Sequence, residues 1–106
     1  MKKDNKTETK DKEMYIVRYK VRIKEGATRA YDGKEQPLIY FIGGESQRDS
    51  IKETGGYSER REYDSLITAV EFMWFLADPK TRSPKHWMSS DGVTIKDVKL
   101  LKEVEV

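Results

Sequence analysis

His86, the only histidine, lies close in sequence to Ser83, Ser89, Ser90 and Asp91, the residue types of a nucleophile–base–acid triad. In such a triad the imidazole takes the hydroxyl proton and a carboxylate orients the ring, so the three groups must meet in space. Here they sit in a loop flanked by Pro and Lys, with no nucleophile motif around any serine, and ordinary loop chemistry accounts for them. With no Cys in the chain there is no thiol nucleophile, thiolate zinc site or disulfide framework. One histidine and scattered carboxylates also lack metal-ligand spacing. Gly43-Gly44 and Gly55-Gly56 lack the spaced glycines and Lys-Ser/Thr ending of a phosphate loop, and read as turns or bulges at strand ends. The expectation is a non-enzymatic protein with no catalytic residue, metal or cofactor.

Two other groups carry binding chemistry. Arg18, Lys20, Arg22 and Lys24 recur at period two, which on a strand makes one cationic stripe able to follow a phosphate backbone. Against this, Glu59, Glu62, Glu103 and Glu105 lie on segments that read as neighbouring strands, where cross-strand ion pairs would use up the charge. The second group is aromatic. Phe72, Trp74, Phe75 and Trp87 are anchor types of a protein interface, and Arg60, Arg61 and Arg82 suit its polar rim. The competing account is that Trp87 and Met88 cap the helix carrying Phe72 and Phe75 from within the same chain.

The elements that must position these residues are read from periodicity. Tyr63 to Pro79 is a helix, capped by Asp64 or Ser65 and ended by Pro79. Leu66, Ala69, Val70, Met73 and Ala77 make its inward stripe, with Phe72 and Phe75 beside Thr68 and Glu71 on the other side. Tyr15 to Lys24 alternates strictly, a strand with Tyr15, Val17, Tyr19, Val21 and Ile23 inward. Glu25 to Gln36 reads as a loop with an Asp32-Gly33 turn, Leu38 to Ile42 as a strand, and Glu45 to Gly56 as a flexible connection. Tyr57 to Tyr63 is a third strand if it forms. Val93 to Val106 is the last, with a phase slip near Asp97 that suggests a β-bulge. With the third strand present, the last strand is expected parallel to the first. The fold class is α+β: a small three- to four-stranded sheet packed on one helix, in the order β-β-(β)-α-β.

The chain of 106 residues has room for one domain, read as 14–106, behind a disordered charged tail at 1–13. A formal charge of +2 is short of a dedicated nucleic-acid binder and far from an acidic DNA mimic. No apolar run spans a membrane and the start carries no secretory h-region, so a cytoplasmic location is expected. A short, Cys-free, charge-rich chain with a hairpin, a Tyr-Asp-Ser-Leu-x-x-Ala helix and a terminal strand resembles small proteins of phages and mobile elements. That group includes anti-CRISPR and other anti-defence inhibitors. The resemblance implies a non-enzymatic regulator that binds a host effector, such as a defence nuclease, and it assigns no functional residue. A second copy of the chain is a further candidate partner. The alternative is a small nucleic-acid-binding module using the basic face of the first strand.

Overall fold

A computed structural model describes residues 12–105, with side chains described for 13–104. The expected tail lies outside the described residues as far as residue 11. Lys12 and Glu13 already belong to the first strand, β1 (Lys12–Ile23). Its alternation does what period two requires: Val17, Tyr19 and Val21 are buried on one face, while Arg18, Lys20 and Arg22 stand exposed on the other.

Beyond β1 the chain departs from the expected loop. Thr28–Tyr31 (β2) and Lys34–Pro37 (β3) form an antiparallel hairpin. Asp32 and Gly33 take φ of 54° and 78° at its tip, as a two-residue turn between twisted strands demands. Leu38–Phe41, expected as a strand, is instead a 3-10 turn. A run of apolar residues does not by itself separate a strand from a buried helical turn. Here Leu38 and Ile42, one turn apart, are the fully buried members, and Tyr40 is 71% exposed.

The expected flexible connection is helix α1 (Glu45–Thr54). Gly55, at φ 85°, ends it in the left-handed conformation. Ser50 and Thr54 then donate hydroxyl hydrogen bonds to the Gly56 carbonyl at 2.6 and 2.9 Å, tying α1 to β4 (Gly56–Tyr63). The third strand therefore exists. Helix α2 (Leu66–Ala77) follows, with the Ser65 hydroxyl accepting the Thr68 amide as its N-cap. Short 3-10 turns at Pro79–Thr81 and Trp87–Ser89 lead to β5 (Val93–Glu105).

The main sheet has the order β4-β1-β5, with β1 antiparallel to both neighbours. The expected parallel last strand is thus overturned: Leu38–Phe41 adds no strand to this sheet, so the chain direction at β5 is reversed. The phase slip at Asp97 is a bulge. The register runs Arg18↔Lys99 and then Lys20↔Lys96, and Asp97 has φ 56°. The extra residue brings Val93, Ile95, Val98 and Leu100 all against the core. Because a β-branched side chain strongly disfavours the left-handed region, Asp97→Val is expected to cost about 1–2 kcal/mol, with Asp97→Gly near neutral, read by urea denaturation.

Helix α2 lies over β1 and β5 more than over β4. It buries Ala69 and Leu76, and Phe72, Met73 and Phe75 pack against the core. The inward stripe expected through Leu66 and Ala77 is therefore turned: Leu66 is 48% exposed and Ala77 is exposed. The reason is that both helix faces are apolar, so hydropathy alone does not orient it. Among the described residues no helix is long and apolar enough to cross a membrane.

Candidate functional site

Since α2 is set over β1 and β5, the inner face of β4 is left with an open cleft of roughly 430 Å³. Its floor is Tyr57, Glu59 and Arg61 at alternate positions of β4; Phe72 and Phe75 of α2, the His86–Met88 turn, and Gly43, Gly44 and Gln47 at the start of α1 close it in.

The floor is rigidly wired. Register sets Tyr19 beside Glu59, and the buried Tyr19 hydroxyl donates to Glu59 Oε1 at 2.6 Å. Gln47 Nε2 donates to the same oxygen at 3.0 Å, and Arg61 Nε lies 3.6 Å from Oε2. Burial and the bond to Glu59 push the Tyr19 phenol far above its ordinary pKa, so it remains a donor. Burial, with the Glu59 charge nearby, likewise raises Tyr57 to about 12. The Arg61 guanidinium sits 4.8 Å above the Phe72 ring, and its side chain is 48% exposed.

The walls are aromatic. Phe72 meets Tyr19 edge-on at 5.7 Å, lies 5.8 Å from Tyr63, and stacks with Phe75 at 6.0 Å. Phe75 meets His86 edge-on at 4.9 Å, and His86 stacks on Trp87 at 6.0 Å. A cation, a fixed carboxylate and four aromatic rings around one opening suit an apolar side chain that carries a hydrogen-bond acceptor.

Of the residues expected to bind a partner, Phe72, Phe75, Trp87 and Arg61 line this cleft. Trp74 does not; it is 56% exposed on the outward side of α2, with Ile67 at 72%. Arg82 serves the helix instead, its Nη1 donating to the Phe75 and Leu76 carbonyls at 2.7 and 2.9 Å, a cation on the C-terminal end of the dipole. Arg60 faces the opposite side of the sheet. It pairs with Glu62 and lies 3.7 Å from Glu103, so that, given the register, the Arg60–Glu103 pair crosses β1 over Ile16. This roof, with Leu101 directly opposite on the same face, accounts for Ile16 being 1% exposed.

Tyr57, Glu59, Gln47 and the Gly43-Gly44 pair are cleft residues that sequence reading missed. The Tyr19 and Glu59 alternation was a signal for Glu59, but only once the β1–β4 register is known. Arg18, Lys20 and Arg22 share the open sheet face as expected, whereas Lys24 lies just past the end of β1.

The hydroxyls near His86 hold the loop. Ser83 Oγ accepts the Lys85 amide, Ser89 Oγ donates to the Ser83 carbonyl, and His86 Nδ1 accepts the Met88 amide at 3.1 Å. The proton of the neutral ring is therefore on Nε2. Burial first, then the Arg82 and Arg29 charges, lowers the His86 pKa. The folded state thus binds fewer protons than the unfolded state below about pH 6.5, so stability is full above that pH and falls as acid is added. The melting temperature should drop between pH 7.5 and 5.5, and drop less in His86→Asn, whose amide oxygen can still accept the Met88 amide. Equal pH slopes in the two proteins would contradict this.

Comparison with family models, with curated proteins and with solved structures finds no match to this chain.

Proposed function

We propose that this chain is a non-enzymatic protein-binding regulator whose β4–α2 cleft takes an apolar anchor side chain from a partner. The observation that carries this reading is the convergence of Phe72, Phe75, Trp87 and Arg61, from three separate segments, on one open cleft. Aromatic and arginine residues around a concave site are what interface hot spots are made of. Arg61 supplies the charged donor for a partner carbonyl or carboxylate, and the apolar wall supplies desolvation. The resemblance to anti-defence inhibitors makes a host nuclease in the cytoplasm the first partner to try.

Trp87→Ala with Arg61→Gln is the test, because neither side chain is fully buried. Trp87 packs against the edge of the core, so the variant is expected to melt somewhat below wild type while remaining folded under the binding conditions. A protein retained by immobilised wild type from nuclease-treated bacterial lysate should then be lost from the variant. Size-exclusion chromatography distinguishes a second copy of the chain from a different protein. If everything the wild type retains is retained equally by a folded variant, the cleft is not the binding site.

A further inference from the structure

Among the described residues, the face of the main sheet opposite the cleft is open and unequally charged. Reading across the strands, Arg60, Arg18 and Lys99 form one row; Ser58, Lys20 and Lys96 form the next; Gly56, Arg22 and Thr94 form the third. Partners in register share a face, so Arg18 stands directly between two cations and Lys20 directly opposite a third. Like charges at opposed sheet positions are destabilising. All six of these Lys and Arg residues are exposed.

Of the four glutamates expected to neutralise the stripe, three are engaged away from it, and the side chain of Glu105 lies outside the described residues. Glu59 is turned to the cleft, and Glu62 and Glu103 are taken by Arg60 at one end of the face. Asp97 lies 3.4 Å from Lys20, with both side chains more than half exposed, so that pair is weak. Among the described residues, Arg18, Arg22, Lys96 and Lys99 form no ion pair. Arg18, Lys20, Ser58 and Lys99, together with the carboxylates of Glu59 and Asp97, also line a depression of roughly 270 Å³ there, in which the three cations outnumber the two anions.

We propose that this open sheet face binds duplex nucleic acid through its phosphate backbone, without reading sequence. Charge complementarity selects a polyanion: successive rows are roughly 6.7 Å apart along the strands, a repeating cationic grid rather than a point site. The absence of a stacking platform selects the duplex. Single-strand binders stack bases on aromatic rings, whereas the tyrosines of β1 and β4, Tyr15, Tyr19, Tyr57 and Tyr63, all alternate onto the cleft side. This surface is separate from the cleft, and the proposal stands whether or not the cleft binds a protein.

The test is fluorescence anisotropy of a labelled 20-base-pair duplex with the full chain, from 50 to 200 mM salt. Binding should weaken steeply with salt, and Arg18→Ala with Lys99→Ala should reduce the slope of log affinity against log salt by about two units, one for each phosphate no longer neutralised. That variant should melt at or above the wild-type temperature, since it removes a like-charge juxtaposition. Arg22→Gln with Lys96→Gln, on the neighbouring rows, should give the same loss of slope if the first variant folds poorly. The proposal is overturned by no duplex binding at 50 mM salt, or by an unchanged slope in the folded variants. Tighter binding of a single strand of equal length, or of phosphatidylserine vesicles in place of the duplex, overturns it equally.

Discussion

Replacing Phe72 and Phe75 together by alanine is expected to destabilise the protein by about 3–5 kcal/mol, a large part of the roughly 5–15 kcal/mol available to a small domain. Phe72 packs between Tyr19 and Tyr63 beneath Arg61, and Phe75 carries His86 and, through it, the Trp87 turn. Each ring is only half-buried, so each falls below the cost of a fully buried phenylalanine, but the ring–ring attraction that disappears with them adds to the total. Ile67→Ala with Trp74→Ala is the paired control. Those side chains are 72% and 56% exposed, and their loss should stay within about 0.5 kcal/mol each. Urea denaturation of both double variants reads the difference, and the reverse order would mean that α2 is turned the other way. The same result explains why partner binding is better tested with Trp87 and Arg61, whose removal leaves the helix seated.

Gly56→Ala is expected to cost about 3 kcal/mol or more, at the upper end of overpacking penalties. A Cβ at Gly56 would lie 2.3 Å from the Val21 carbonyl oxygen and 3.3 Å from the Arg22 Cα, both backbone atoms of the central strand. Neither can move without shifting the β1–β4 ladder, in which Gly56 opposes Arg22. The shift would also strain the Ser50 and Thr54 hydrogen bonds that seat α1. Gly43→Ala has open space around the new methyl group and should melt within a few degrees of wild type. Circular dichroism melts of the two alanine variants suffice, and near-equal midpoints would refute the close-approach account.

Where a segment carries its own period, it was legible in the sequence. β1 alternates, α2 is bracketed by Ser65 and Pro79, and the phase slip in β5 marks the Asp97 bulge. α1 has one apolar residue, Ile51, in ten, so no stripe announces it. Its sign was Gly55, read as part of a flexible glycine pair when it is the left-handed end of a helix. Leu38–Phe41 was opaque for the opposite reason, being apolar throughout. Of the cleft, Phe72, Phe75 and Trp87 were conspicuous by residue type, but their placement was not legible: Phe72 and Phe75, expected on the outward side of the helix, pack against the core, and Trp74 stands outside the cleft. The floor was not legible either, because Glu59 and Arg61 look like surface charges until Tyr19 and Phe72 are placed against them.

β1 is first of the strands in the chain yet lies in the middle of the sheet, with β5 as one of its two partners. On a ribosome moving at about 5–20 residues per second, the intervening segment 24–92 takes on the order of several seconds to synthesise. Throughout that interval one side of β1 is an unpaired edge with an apolar face, the kind of template that recruits strands from other nascent chains. Arg18, Lys20 and Arg22 alternate along that edge, and such charges act as gatekeepers against aggregation. The cations displayed by the finished sheet thus also guard the unfinished one, so neutralising them should lower soluble yield during synthesis even where the folded protein is no less stable.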